Sequence, residues 1–592
     1  MRSMTKFRTA LLSGAIPLAL FAAACNDNTV TQASGPVTIT PNPCAPTGTL
    51  TLAVATTARI DCSNGGTTLT LAGNGANYLI VPEFANDQGA NQFISYQMFT
   101  GNVSAASASL APSRASRAAM LSAAVAHKLI PPGRNMSAQR NAERGLRARA
   151  ARSPRATISA SIRRQLSATV TPPPPLGSIR SFQVANSFTV NTWATVGAKL
   201  AYSGANVLIY IDTLAPANGF TPTQLTNFGQ LFDQTLYPID TTAFGGPSDI
   251  DNNGHVIMLM TPVVNADTPA STCASQGFVA GFFDSGDFGS SGANSNNAEI
   301  FYSIVPDTAG TVSCAHGVGE VGLDVPGTFL HELQHLINYS QHVVISGSDP
   351  SSSWLDEGMS IVAEELGSVY YEQKCPGTTC RTNPSQLFPD SSQGFIQDFL
   401  YDSYQYAFLP DTASVTLSTD NEGGFSWRGG AWLFARWLGD QYGSSVYHQL
   451  ERGPSNALAD VQQVTGQTFP ALFSNFGIAL YTDSLPGLPR TTAPAANRFV
   501  SRNVSQLWAR LYATSGAPGT DIPTPTPIAS FLATVNSDTS SSVLVPGTMS
   551  FWRINTLANQ ATVTIQFSAS GGLPFSPLLA PQIAVFRLPP GQ

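Results

Sequence analysis

The sequence predicts an α+β fold: a mixed sheet followed by a group of helices, flanked by N- and C-terminal β regions. Three observations predict it. Apolar runs of strand length recur between residues 206 and 302. From residue 326 the apolar positions fall at helical spacing. Alternating stretches between Gly, Asn and Pro turns fill both ends of the chain. This sheet-first, helices-after order is the α+β pattern. With 592 residues there is chain for about three or four domains and ample core.

Residues 1–24 have a basic start (Arg2, Lys6, Arg8), an apolar run and the small-residue site Ala22-Ala23-Ala24-Cys25. That is an export signal, too short and wrongly flanked for a membrane span. Ending at Cys, it resembles a bacterial lipoprotein signal, which implies lipidation of Cys25. Ala22 replaces the usual Leu, so an ordinary signal peptide stays open. The expected location is therefore outside the cytoplasm, either secreted or held at a membrane surface by lipid. Residues 26–102 read as a small β-sandwich-like domain, with strands over 49–55, 67–71 and 78–81.

Residues 103–176 are rich in Ala, Ser and Arg and end in four prolines, 172–175. They read as a partly helical linker, as an activation segment offering Arg147, Arg149, Arg152 and Arg155 for cleavage, or as an anionic-surface binder. The charge distribution is uneven. Residues 104–164 hold twelve of the 29 basic residues and one of the 36 acids, Glu143. The remainder is acidic, which argues against nucleic-acid binding.

The central domain spans 180–490. It opens with strands at 206–212, 256–260 and 298–302, and a helix that Thr221-Pro222 caps and that runs to 237. Helices follow at 327–341, 355–373, 427–442, 456–465 and 470–482. Residues 497–592 return to β, with clean alternation at 563–567. Beyond Cys25 there are six cysteines. An exported chain favours disulfides, most simply Cys44–Cys62, Cys273–Cys314 and Cys375–Cys380.

The chemistry concentrates in Thr328-Phe-Leu-His331-Glu332-Leu-Gln-His335-Leu-Ile-Asn-Tyr. Residues four apart on a helix share a face, so His331 and His335 can reach one ion. Imidazole is a good zinc ligand, and zinc acidifies a bound water that Glu332 could deprotonate. A third ligand is needed. His342 lies about two turns on, roughly 10 Å along the axis, and is too far. Glu357, in Trp354-Leu-Asp-Glu357-Gly-Met-Ser, starts the next apolar helix and completes a two-His, one-Glu set. Glu364, seven residues on, could orient a ligand imidazole.

At these residues the sequence resembles the gluzincin metallopeptidases, and most of all the hyicolysin-type family of bacterial secreted neutral proteases. The resemblance covers about residues 180–490, and strongly only 326–366. It implies a zincin-like domain, with zinc at His331, His335 and Glu357 and Glu332 as base. It also implies a substrate-binding edge strand, for which 297–303 is the expectation. The group that would hold the developing oxyanion is not evident. The segment from Ser426 looks like the helix that usually carries it but offers Trp427 and Arg428. Tyr404, Tyr406 and Arg428 are the candidates.

A second metal, calcium, is suggested by Asp249, Asp251 and Asn253 followed by Gly254. Met260 stands where the bidentate Glu belongs, so Asp284 or Asp287 would have to compensate. An Asn-Gly turn is the competing reading. The sequence therefore predicts a secreted or lipid-anchored zinc endopeptidase acting on peptides or proteins, with no nucleic-acid partner. A surface binding protein with an inactive protease-like domain is the alternative. A zinc hydrolase of small non-peptide substrates is a third.

Overall fold

The computed structural model describes residues 41–44, 48–87, 93–101, 137–150, 171–188, 192–289, 294–374, 390–416, 425–453, 457–491, 493–518, 520–532 and 540–592. Cys25, Cys375 and Cys380 lie outside these residues. The export signal does too, together with Arg152 and Arg155. Five helices build the centre of the molecule: α1 (Ser137–Ala150), α2 (Val318–Tyr339), α3 (Ser353–Lys374), α4 (Asp390–Phe408) and α5 (Phe425–Tyr442).

The central sheet is mixed and six-stranded. Its order is Gly281–Phe283, Ile300–Ser303, Val256–Met260, Val207–Asp212, Thr192–Ser203 and Ile179–Ser187. Val256–Met260 runs parallel to both neighbours, and every one of its five residues is buried. That is why it reads as an unbroken apolar run. The expected edge strand is displaced. Ile300–Ser303 is internal, and the antiparallel Gly281–Phe283 forms the edge. The latter is only three residues long, too short to show an alternation.

The helix after Thr221 forms with a full capping box to Gln224, then passes through a π-helical turn at Phe232–Leu236 into Tyr237–Phe244. Phe329 of α2 packs edge-on against Phe232 and Phe301, fixing α2 across the sheet. α2 begins at Val318, nine residues before the expected start, and runs through Pro326. Proline removes one helical hydrogen bond. The buried face Val321, Val325 and Phe329 keeps the helix going regardless. α4 was not foreseen, although Phe395, Ile396, Phe399, Leu400 and Tyr404 form a buried stripe at helical spacing.

The two terminal β regions are not separate domains. Strands from residues 41–101 and 531–587 interleave in a seven-stranded and a five-stranded sheet. Pro581–Arg587, for example, lies between Thr57–Asp61 and Asn77–Phe84. The sheets share one core containing Tyr78, Ile80, Phe84, Leu71, Val563 and Phe567. Each half alone would leave the backbone edges of most of its strands without a hydrogen-bonding neighbour. Two further details depart from the sequence reading. The region 49–55 pairs only at Thr49–Leu50. The C-terminal stretch contains the helix Val504–Ser515, whose Trp508 indole donates to Ser403 Oγ of α4 at 3.0 Å. Disulfides join Cys44 to Cys62 within the sandwich and Cys273 to Cys314 beside the central sheet.

Candidate metal centre

α2 presents His331 and His335 one turn apart, and the first turn of α3 brings Glu357 to them. One ligand atom from each of the three lies within 4.8 Å of the others. The two Nε2 atoms are 3.1 Å apart. Glu357 is fully buried, with carboxylate oxygens 3.5 Å from His331 Nε2 and 3.8 Å from His335 Nε2. Two imidazole nitrogens and one carboxylate oxygen converging in a buried site fit zinc. Gly358 allows this approach. A Cβ there would sit 2.8 Å from the Ala431 carbonyl oxygen of α5, so α3 and α5 pack backbone to backbone.

Both imidazoles are held from behind. His331 Nδ1 is 2.7 Å from Glu364 Oε1, and His335 Nδ1 is 2.9 Å from Asp356 Oδ2. With each Nδ1 engaged by a carboxylate, each Nε2 is left facing the ligand position. Asp356 was missed by sequence reasoning, where the neighbouring Glu357 absorbed the only first-turn acid considered. Ser360 also reaches His335 Nδ1, at 3.0 Å, and donates to Gln334. Gln334 in turn donates to the buried Glu451 at 2.5 Å. This hydrogen-bonded chain fixes α2 against α3.

Glu332 reaches from α2 to the central sheet, with a carboxylate oxygen within 4.8 Å of a His331 nitrogen. Its Oε2 accepts the backbone N–H of Phe283, in the edge strand, at 3.0 Å. Burial pushes its carboxyl up to about 7, against the pull of the His335 and His331 imidazoles. Burial also pushes Glu357 upward, but the guanidiniums of Arg428 and Arg147 and the two imidazoles outweigh it. Glu357 is held well below the usual carboxylate range. For His331 burial favours the neutral ring, and Glu357 and Glu364 reverse this, so metal-free His331 favours its proton.

Of the three oxyanion candidates, only Arg428 reaches the site. Its Nη2 is 2.8 Å from Glu357 Oε2 and 3.2 Å from His331 Nε2. The Tyr404 hydroxyl donates to the Thr524 carbonyl at 2.7 Å, and Tyr406 is buried against Phe476, both away from the imidazoles. Trp427 is buried in the core. His342 lies in the π-helical turn after α2, where its Nε2 meets Ser351 Oγ at 3.0 Å.

The calcium candidates are partly rearranged. Asp249 and Asp251 are joined by buried Glu299, the three offering oxygens within 4.8 Å of one another. Asp284 and Asp287 do not take part. Asp284 pairs with Arg149 at 2.7 Å, and Asp287 accepts from the Tyr302 hydroxyl at 2.5 Å. The Asn253 side-chain oxygen is turned to the His255 N–H at 2.6 Å, and Asp249 accepts from Asn253 N and Gly254 N. The segment is a self-bonded turn with the carboxylates of Asp249, Asp251 and Glu299 gathered beside it.

α1 lies over the site. Arg147 pairs with Glu357, Glu143 with Arg428, and Arg140 with both Asp402 oxygens at 2.8 and 3.0 Å. Sequence reasoning named Arg147 only as a cleavage point and did not name Asp402. The spacing 140, 143, 147 on a helix was the available signal.

The chain is similar to the neutral metalloprotease ShpI of Staphylococcus hyicus, with 30% identity over 193 residues. The likeness covers 32% of this chain and 40% of that protein, so the chain spans well under half of the relative's length. No known family profile matches the chain.

Proposed function

We propose that this protein is a zinc-dependent endopeptidase of the gluzincin type, nearest in character to the hyicolysin-type neutral proteases. The observation that carries the reading is the convergence of His331, His335 and Glu357, with Glu332 reaching the edge strand of the central sheet. The partial likeness to a protein named as a neutral metalloprotease supports it.

His331, His335 and Glu357 would hold the zinc, which when bound polarises a substrate carbonyl and acidifies water. Glu364 and Asp356 hold the imidazoles with Nε2 inward. Glu332 takes the proton of the attacking water on its carboxylate and passes it to the departing amine. The substrate backbone adds to Gly281–Phe283, which positions the scissile bond over Glu332. Arg428, a fixed cation beside the ligand position, stabilises the developing oxyanion.

The buried first turn of α3 explains why a carboxylate can serve there without being drawn into solvent. The export signal and Cys25 suit a secreted or lipid-anchored enzyme. Among the described residues no helix is long and apolar enough to cross a membrane, so the lipid is the only membrane link this reading needs. The test is zinc content and casein cleavage for wild type and Glu332→Gln. We expect stoichiometric zinc in both and at least a hundredfold loss of cleavage in the variant. Full activity in Glu332→Gln would remove this mechanism. Zinc without turnover in wild type would favour the binding-protein alternative.

A further inference from the structure

The face of α1 turned to the protein is unusual. Gln139, Arg140, Glu143 and Leu146 are buried, and Arg147 is partly so. With Ala142 these are the buried positions of the helix, and only Ala142 and Leu146 among them are apolar. Helices that build cores bury apolar stripes, whereas buried Arg, Glu and Gln need partners of matching shape and charge. Here every one of those polar side chains meets a group of the proposed active site or its rim.

Arg147 pairs with Glu357, the proposed third zinc ligand. Arg147 thereby occupies one of the two carboxylate oxygens a divalent cation would draw on, while Arg428 from the body of the protein meets the other. Glu143 pairs with Arg428, the proposed oxyanion group, and offers an oxygen within 4.8 Å of a His331 nitrogen and a Glu332 oxygen. The Gln139 amide accepts from Ala280 N at 3.0 Å and donates to the Gly281 carbonyl at 2.8 Å. Those are the backbone groups a substrate strand would need at this edge. Arg140 lines a cavity together with Gly327, Thr328 and Phe399 and ends on Asp402.

We infer that α1 is an internal inhibitor: a cationic helix that ties up the Glu357 carboxylate with Arg147, the Arg428 guanidinium with Glu143 and the substrate edge with Gln139. Zinc and substrate therefore bind only when α1 leaves. The cleft accordingly takes an arginine-bearing segment, from this chain or added in trans. The inference rests on the peptidase reading for what is inhibited, but its zinc arm stands without that reading.

The fold lets α1 leave without dismantling the molecule. The described strands up to Gly101 belong to the terminal sandwich, which its own sheets hold together, and those from Ile179 belong to the central sheet. Gly145 sets how closely α1 sits. A Cβ there would lie 2.5 Å from the Phe188 backbone oxygen. Gly145→Val should therefore wedge α1 off the body without changing any charge.

The test uses the full chain, Arg147→Ala and Gly145→Val, each measured for zinc affinity by chelator competition and for cleavage of a peptide library. A synthetic peptide of residues 137–150 is then added. Release of a closed state should tighten apparent zinc binding about tenfold or more in both variants and raise cleavage comparably. The peptide should reverse both effects, and its Arg147→Ala version should not. In wild type, zinc should also raise amide hydrogen exchange across 137–150 and leave the sandwich unchanged, a readout independent of how the variants fold. Unchanged zinc affinity in both variants, with no change of exchange in α1, overturns the inhibitor and leaves the peptidase standing. Tighter zinc without any cleavage leaves the inhibitor standing and removes the peptidase.

Discussion

Replacing Glu357 by Gln removes one negative charge at the point where four positive or proton-bearing groups meet. In the metal-free protein its oxygens face Arg147, Arg428, His331 and His335. Breaking a buried ion pair from one side typically costs about 3–5 kcal/mol. Two features place this case near the lower end, at roughly 3 kcal/mol. Arg428 keeps Glu143, and the Arg147 side chain is 28% exposed, so it can turn to water. The effect on zinc is larger in kind. The neutral amide replaces the only anionic donor of the set. Loss of a group that merely supports a ligand costs about 10–100-fold in affinity, so loss of the ligand itself should exceed about 100-fold, or about 2.7 kcal/mol. The assay is chelator competition for zinc, with thermal unfolding in EDTA to record the metal-free cost. A zinc affinity within threefold of wild type would refute the assignment. It would shift attention to the other buried set at this site, Glu143, His331 and Glu332.

Four further outcomes are expected. Asp356→Asn should weaken zinc binding about 10–100-fold, because the His335 ring loses the carboxylate 2.9 Å from its Nδ1; chelator competition measures it. Arg428→Lys keeps the charge but loses the planar fork, so kcat should fall roughly tenfold or more with KM little changed, read from steady-state peptide cleavage. Zinc loading should release protons, since Glu357 and Glu364 favour a protonated His331 in its absence; calorimetry in buffers of different ionisation enthalpy should show this, with affinity falling as pH drops. Burial pushes Glu83 up to about 8, where it accepts from Ser474 between sandwich and helices. Its folded value lies above its ordinary one, so its stabilisation is complete at acid pH and is lost as pH rises towards 8, by at most about 1.4 kcal/mol per pH unit. Glu83→Gln should flatten that fall in denaturant titrations between pH 5 and 9.

Much of the site was legible because its information is local. His331, Glu332 and His335 lie within one turn and a third of helix, and helical spacing alone puts both rings on one side. Glu357 was reachable because the next helix starts soon after, with an acid in its first turn. Glu364 followed from the same helix face. Strands such as Val256–Met260 and the helix capped by Thr221 were also local, each announced by its own run or cap.

What the sequence determined by itself is thus the motif, its ligand types and the alternation of element types. Tertiary structure decided everything that depends on chain segments far apart. The terminal β regions read alike, but only pairing across more than 500 positions, as between Ile60 and Ile583, makes them one sandwich. The true edge strand is Gly281–Phe283 because sheet order, not apolar pattern, sets which strand lies outermost. Arg428 was singled out from Tyr404 and Tyr406 by helix packing through Gly358. The helix Ser137–Ala150 is the clearest case. Its arginines read in isolation as solvated charge, and only the fold brings the acids Glu357 and Asp402, over 200 residues away, to meet them. Charge burial is a property of pairs, and the pairing is made by the folded chain.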